Sequence, residues 1–352
     1  MQLRELSIEN LNIPFRVSFQ HSSALRTKTE SILVTAITEK GQQGQGEGCP
    51  REYVTGETLD TSHDFFNIYR SEFLNIHTLD DLKDWSEKHC SIIDENPAVF
   101  CAVELALLNV LAKEKNISVE SLLSLPELTG KFYYSAVIGT PKLKTFQEQL
   151  QQYLKLELTD YKVKIFGDLD IDQKNIEVLS QCNKSDIRLR LDANNLWSSP
   201  EEAINYFNKL NHPIFALEEP LAKHQYNDCL KISESLNVKT ILDESFLKID
   251  DFKYILSIPN AWIINIRISK MGGVLRSLEI VNKARLNGIP IIIGAQVGET
   301  SILTRAAITL ANTCRDILVA QEGAFGTYLL ERDMVEPSIK FGMRGIVNAS
   351  QL

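Results

Sequence analysis

Between Tyr161 and Gly273 five charged signatures recur at nearly even intervals, each closing an apolar run. They are Lys162-Val163-Lys164, Asp192-Ala193-Asn194, Glu218-Glu219-Pro220, Asp243-Glu244-Ser245 and Ser269-Lys270-Met271-Gly272-Gly273. From Lys164 the steps are 28 positions to Asp192, 26 to Glu218, 25 to Asp243 and 27 to Lys270. That is the length of one strand, one helix and their loops. A chain that repeats this unit closes into a barrel of alternating strands and helices, whose chemistry gathers at the carboxyl ends of the strands. One strand-like run precedes the five and two follow, so they read as strands two to six of eight.

On that assignment strands two and six face each other across the mouth of the barrel. Lys164 and Lys270 then approach its centre from opposite sides, with Asp192, Glu218 and Asp243 on the arc between them. Three clustered carboxylates repel one another unless a cation joins them, and oxygen-only ligands favour one Mg²⁺ ion over zinc or copper. Two amines flanking a metal-bound substrate suit removal of a proton on one face and delivery on the other. Lys162 and Lys164 are two apart in a strand and share a face. Two ammonium groups in a confined space each depress the pKa of the other, and a partly neutral lysine can act as a base. Glu219 and Glu244 alternate to the other face and read as structural. Arg267 reads as a surface or helix-layer residue.

The rest of the composition bounds what the chain does. At 352 residues it holds a barrel of roughly 200–250 residues and a smaller domain. A net charge of −9 with no basic stretch argues against a nucleic-acid partner. No run approaches the roughly 18 apolar residues of a membrane span, and Met1-Gln2-Leu3-Arg4-Glu5 lacks the apolar core of a signal peptide. Cysteines at 49, 90, 101, 182, 229 and 314 form no C-x-x-C pair, which fits reduced thiols in the cytoplasm.

Residues 1–60 read as strands and turns, with Ile32–Thr38 a strand leading to the Gly-rich run Gly44–Gly48. A polar loop carrying His21, Arg26 and Lys28 precedes that strand, and a second loop, 49–57, follows it. From about Glu57 to Leu125 the pattern is helical. In Ala98–Ala112 the residues Cys101, Leu105, Leu108 and Ala112 mark one apolar face, and Glu104 reads as a buried hydrogen-bonding carboxylate. Strand one is expected at Phe132–Ile138, strand seven at Pro290–Gly294 and strand eight at Ile317–Ala320. The expected division is an N-terminal α+β domain over 1–128, joined by the tail 329–352, and a barrel over 129–328.

Lys or His bases beside Mg²⁺, stabilising an ene-diolate, are the arrangement used by the enolase superfamily. With Gly46-Glu47-Gly48, Val54-Thr55-Gly56-Glu57 and the strand-end motifs from 162 to 273, the chain resembles that superfamily, in its muconate lactonizing enzyme subgroup, over almost its whole length. The resemblance implies an α/β fold: a modified (β/α)₇β TIM barrel under an α+β capping domain. It implies Lys164 and Lys270 as the acid/base pair, Asp192, Glu218 and Asp243 as Mg²⁺ ligands, and Lys162 as a helper of Lys164 or a substrate contact. The implied activity is abstraction of the proton α to a substrate carboxylate, with the metal stabilising the enediolate.

A racemase or epimerase of an amino-acid derivative or dipeptide is the leading expectation. A muconate-type cycloisomerase or an o-succinylbenzoate synthase-like lyase needs proton chemistry on one face only. A metal-holding scaffold without activity is the reading from another class. Relatives that epimerise dipeptides often carry Asp-x-Asp at the end of strand eight to hold the substrate ammonium; here the run is Gln321-Glu322-Gly323-Ala324. Glu322, and Glu299 after strand seven, are the acidic candidates for substrate contact. Arg26 and Arg51, in the two N-terminal loops, suit a second substrate carboxylate. The expected partner is a small carboxylate, with no nucleic acid or membrane, and the expected assembly a homo-oligomer.

Overall fold

Gly44, Gly46 and Gly48 set the packing of the N-terminal third. They share one face of the strand Gln43–Gly48, and a Cβ on them would lie 2.3, 2.1 and 2.0 Å from the carbonyl oxygens of Ala106, Ala102 and Ala98. Two residues of strand advance about 6.6 Å and four of helix about 6 Å. The glycines therefore keep step with one ridge of the helix Pro97–Lys115, which lies directly on the strand. That helix is buried almost all round from Pro97 to Ala112, rather than on the single face its sequence suggested. It is held between this sheet and the barrel, and a helix apolar on every side is stable only when covered on every side.

The computed structural model describes residues 1–21, 24–182 and 187–352, and of 17–21, 24 and 25 the backbone alone. The capping sheet is antiparallel, with Ser31–Thr38 between Leu3–Leu11 and Gln43–Gly48. The stretch expected as a polar loop is instead half of a hairpin, Pro14–His21 paired with Ala24–Lys28; its residues 22 and 23, and the His21 side chain, lie outside the described residues. Helices Leu59–Leu74, Leu79–Lys88 and Cys90–Glu95 complete the cap.

The barrel strands are β1 (Ala136–Ile138), β2 (Asp160–Lys164), β3 (Arg188–Asp192), β4 (Ala216–Glu218), β5 (Lys239–Leu242), β6 (Trp262–Ile266), β7 (Ile291–Ile293) and β8 (Leu318–Gln321). Each is parallel to the next, in sequence order. Ser135 N–H donates to the Gln321 carbonyl at 2.8 Å and draws the first and last strands together. The run expected as one strand over 132–138 is broken in two. Lys131–Tyr133 pairs with the tail strand Ile346–Asn348, and only Ala136–Ile138 enters the barrel. Helices follow β1 to β4, β6 and β7, whereas after β5 the chain crosses in two 3₁₀ turns, Ile249–Tyr254 and Pro259–Ala261. Among the described residues no helix is long and apolar enough to cross a membrane, and no disulfide joins the cysteines.

Ala216, Ile241, Ile263, Ile292 and Ala320 plug the barrel interior from β4 to β8. Cap and barrel share one apolar core, from Leu6, Val34 and Phe100 to Leu191, Leu217 and Ile264. Three buried cap carboxylates stitch backbone along and across this junction. Glu57 accepts from the N–H groups of Ala98 and Val99, Glu47 from the N–H and hydroxyl of Thr300, and Glu104 from the N–H groups of Val274 and Leu275. All are at helix starts, where unpaired N–H groups and the helix dipole favour an acceptor. The start of the tail meets the capping hairpin: Arg16 N–H donates to the Leu329 carbonyl and Glu331 N–H to the Pro14 carbonyl.

Candidate active site

The parallel register sets the charged side chains level at the mouth. Lys164 pairs with Asp192 across β2 and β3, and Asp192 with Glu218 across β3 and β4. Asp243 follows the last residue of β5, and all four side chains are buried. Lys162, one pleat below Lys164, lies 2.7 Å from Glu218, 3.3 Å from Glu322 and 3.4 Å from Asp192. Beneath it Arg190 is fully buried and donates to Glu322 at 2.6 Å, to the Ser135 hydroxyl at 2.8 Å and to Asp160 at 3.0 Å. Both oxygens of Glu322 are therefore held from inside the barrel, one by Arg190 and one by Lys162.

The two lysines of β2 differ in electrostatics, where the sequence suggested mutual depression. Desolvation opposes the Lys162 charge, but Glu218, Glu322 and Asp192 outweigh it and hold its pKa above the ordinary lysine value. Lys164 is lowered by burial, with Asp192 opposing and Lys162 reinforcing the shift. Its ammonium donates to Asn194 Oδ1 at 2.7 Å and stands 3.8 Å from Asp192. Gly139, at the end of β1, leaves room for the Lys164 stem: a Cβ there would be 3.1 Å from the lysine Cδ.

Asp192, Glu218 and Asp243 suit a hard divalent cation. The donor set is oxygen only. Glu218 Oε2 is buried with no hydrogen-bond partner, a cost that a bound cation would remove. Burial lifts the Glu218 carboxyl to about 8, against the opposing pull of Lys162. Among the described residues no three acids are drawn into a closed cage, since Lys162 and Arg267 stand against their oxygens. Glu219 is structural as expected, accepting from the N–H groups of Asp243 and Ser245 and from the Ser245 hydroxyl at 2.6–2.8 Å.

The far flank differs from expectation. Lys270 is on the short helix Ile268–Met271 after β6 and is fully buried. Its ammonium donates to the Asp243 carbonyl at 2.7 Å, to Asp243 Oδ1 at 2.8 Å and to the Asn265 carbonyl at 2.8 Å. Arg267, expected on the surface or helix layer, instead turns into the mouth. It pairs with Asp243 Oδ2 and donates to Gln296 Oε1 at 3.0 Å, while its buried Nε has no hydrogen-bond partner. The reason is strand alternation: Asn265 and Arg267 are two apart, and Asn265 donates inward to Glu218 at 3.2 Å. Arg190, Asn265, Arg267 and Gln296 were the residues that sequence reasoning missed. The pairs Arg190/Asp192 and Asn265/Arg267, each at period two, carried a usable signal.

The second cap segment, expected as a loop over 49–57, instead carries the short helix Glu52–Thr55 and lies across the mouth. Lys223, after β4, donates to the Tyr53 carbonyl at 2.7 Å, while Arg51 donates to the Val297 carbonyl, after β7, at 2.8 Å. Arg51 is buried rather than solvated and also binds the carbonyls of Glu30 and Pro50. Arg26 pairs with Glu30 on its own hairpin. Glu299, half-buried, accepts from Gln296 N–H at 2.6 Å, and desolvation raises its carboxyl to about 8. Two cavities lie away from this chemistry. One, of about 520 Å³, is at the opposite barrel end beside Arg188 and Val319; the other, of about 530 Å³, lies between Leu105, Ile302 and Pro337.

The model of the enolase C-terminal domain-like family matches residues 145–344. The hydrophobic dipeptide epimerase of Enterococcus faecalis is 23% identical over 93% of this chain and 92% of its own length. The N-succinyl-L-Arg/Lys racemase of Bacillus cereus is 22% identical over 88% and 84%. The crystal structure of a dipeptide epimerase from Cytophaga hutchinsonii with Mg and D-Ala-L-Val superposes with a TM-score of 0.86 at 23% identity, covering 98% of this chain and 93% of that one.

Proposed function

The chain belongs to the enolase C-terminal domain-like family, and from that premise we propose that it is an Mg²⁺-dependent enzyme that removes the proton α to a substrate carboxylate. The relatives support a racemase or epimerase of an amino-acid derivative or dipeptide. The observation that carries the reading is the level set of Lys164, Asp192 and Glu218 with Asp243 beside it, an amine of lowered pKa facing three buried carboxylates. Asp192, Glu218 and Asp243 would hold the ion. When bound, it would stabilise negative charge on the substrate carboxylate oxygens as the α-proton leaves. Lys164 takes the proton as its neutral amine, whose N–H donates to Asn194 Oδ1 and so aims its lone pair, and Lys162 binds the acids from below. The cap loop excludes water.

Glu322 gives the substrate class. Arg190 and Lys162 each bind one of its oxygens, so its single negative charge already faces two buried cations before any ammonium group arrives. This supports an N-acylated amino acid over a substrate with a free α-amine. A one-face reaction, cycloisomerisation or β-elimination, is the second reading, favoured by the saturation of the Lys270 ammonium.

The deciding experiment incubates the enzyme and Mg²⁺ in D₂O with N-acetyl amino acids and dipeptides of both configurations. Deuterium at the α-carbon is the expected result, and change of configuration with it supports the racemase or epimerase reading. Exchange with full retention moves the conclusion to the one-face reading. No incorporation from any member of the panel would sink the proposal for these substrate classes.

A further inference from the structure

We propose that Arg267, not Lys270, is the cation that meets the substrate opposite Lys164, and that Lys270 is a positioning residue for Asp243. This deepens the α-proton reading above and rests on it. The case begins with hydrogen counting. A lysine ammonium has three N–H groups, and those of Lys270 go to the Asp243 carbonyl, Asp243 Oδ1 and the Asn265 carbonyl, all at 2.7–2.8 Å. Its side chain is 0% exposed. Nothing remains on it to offer a ligand, and reaching the mouth would break three buried hydrogen bonds at once.

Arg267 is placed otherwise. It extends from the end of β6, retains 12% side-chain exposure and binds side chains from two other barrel positions, Asp243 after β5 and Gln296 after β7. Its charge is felt by Lys162, Lys164, Asp192 and Glu322, which come from β2, β3 and the end of β8. A planar guanidinium with an unpartnered Nε suits two oxygens of a carboxylate or carbonyl group. The two faces of a bound substrate thus meet different chemistry: a small amine on one side and a hydrogen-bonding fork on the other.

The test uses the full-length protein and compares Arg267→Met with Lys270→Met. Mg²⁺ binding is measured by calorimetry without substrate, and α-deuteration of the N-acetyl amino acid panel is followed at saturating Mg²⁺. Lys270→Met should weaken Mg²⁺ binding at least tenfold, because Asp243 loses its anchor, and saturating Mg²⁺ should restore exchange to within a few-fold of wild type. Arg267→Met should bind Mg²⁺ no more weakly than wild type, since a competing cation is gone. Its half-saturating substrate concentration should rise tenfold or more, and Arg267→Lys should recover part of that loss. The proposal is overturned if Lys270→Met binds Mg²⁺ normally, or if it loses exchange that Mg²⁺ does not restore while Arg267→Met behaves as wild type. Should no panel member exchange in the wild type, the α-proton reading fails for those substrates, and the Mg²⁺ titrations still decide the role of Lys270.

Discussion

Two groups of buried carboxylates in this molecule, one at the barrel mouth and one along the cap, are held in opposite ways. At the barrel mouth Asp192, Asp243 and Glu322 face side-chain cations: Lys162 and Lys164, Arg267 and Lys270, and Arg190 and Lys162. Burial opposes their charge, but these partners hold all three below the usual carboxylate range. In the cap, Glu47, Glu57 and Glu104 face backbone N–H groups at helix starts, and desolvation lifts them to about 7, 7 and 8. A helix end contributes about half a charge, which does not offset full burial as a whole cation does. Asp192, Asp243 and Glu322 are thus kept ionised, while the cap uses Glu47, Glu57 and Glu104 as neutral-leaning backbone clasps. Glu218 departs from Asp192, Asp243 and Glu322: burial raises it to about 8, and its unpartnered Oε2 marks where a cation is wanted.

The largest effect expected from this contrast is at Lys164. Lys164→Ala should lower kcat/KM by roughly 10³-fold or more, the scale of losing a general base, with Tm shifted by no more than a few degrees. A variant that retains a tenth of wild-type activity would remove Lys164 from the chemistry. Glu218→Gln comes next: it should weaken Mg²⁺ binding by roughly 10–100-fold by calorimetry, at least the scale of losing an outer-shell partner. The same change at Glu57, within the cap, should leave Mg²⁺ affinity unchanged. Equal losses at both positions would erase the distinction between the regions.

The mouth was legible in the sequence because strand ends repeat at 25–28 positions and because acids at successive strand ends have few other reasons to occur there. Period-two alternation set Lys162 and Lys164 together, and β2 bears this out. The same rule applied to Asn265 and Arg267 points Arg267 inward. Attention to the Lys270-Met271-Gly272-Gly273 run hid it, because a lysine before two glycines looks like a strand-end residue. Here the strand stops at Ile266 and Lys270 falls on a turn of helix. The burial of Arg51 and the break of strand one at Tyr134 depend on contacts with Val297 and Gly345, far away in the chain, and local pattern carries no trace of such partners. The Gly44–Gly48 run was visible, but its fit against Ala98, Ala102 and Ala106 needed the helix in place.

Within the cap, Glu57→Ala should destabilise the fold by about 1–3 kcal/mol, because the N–H groups of Ala98 and Val99 lose their acceptor in a buried position. Chemical denaturation measures this, and kcat/KM at saturating Mg²⁺ should stay within about threefold. A fall in activity without a fall in stability would instead place Glu57 in the chemistry of the mouth.

The most direct test of how the clasps are held concerns pH. Glu104 is raised from 4.5 to about 8 by desolvation, with Val274 and Leu275 N–H opposing. A carboxyl whose folded pKa lies above its unfolded value favours folding while it is protonated. That contribution is complete below the unfolded pKa and is lost as pH climbs through the folded one. Stability should therefore decline from about pH 5 to pH 8, by something on the order of 3–4 kcal/mol for this group. Glu104→Gln keeps an oxygen acceptor for the helix start and cannot ionise, so its stability should fall less across the same window, and the two proteins should differ most near pH 8. Parallel pH profiles for wild type and Glu104→Gln would show that the carboxyl is charged in the fold as Asp192 and Asp243 are in the mouth, and the contrast between the two regions would fail at a fully buried cap residue.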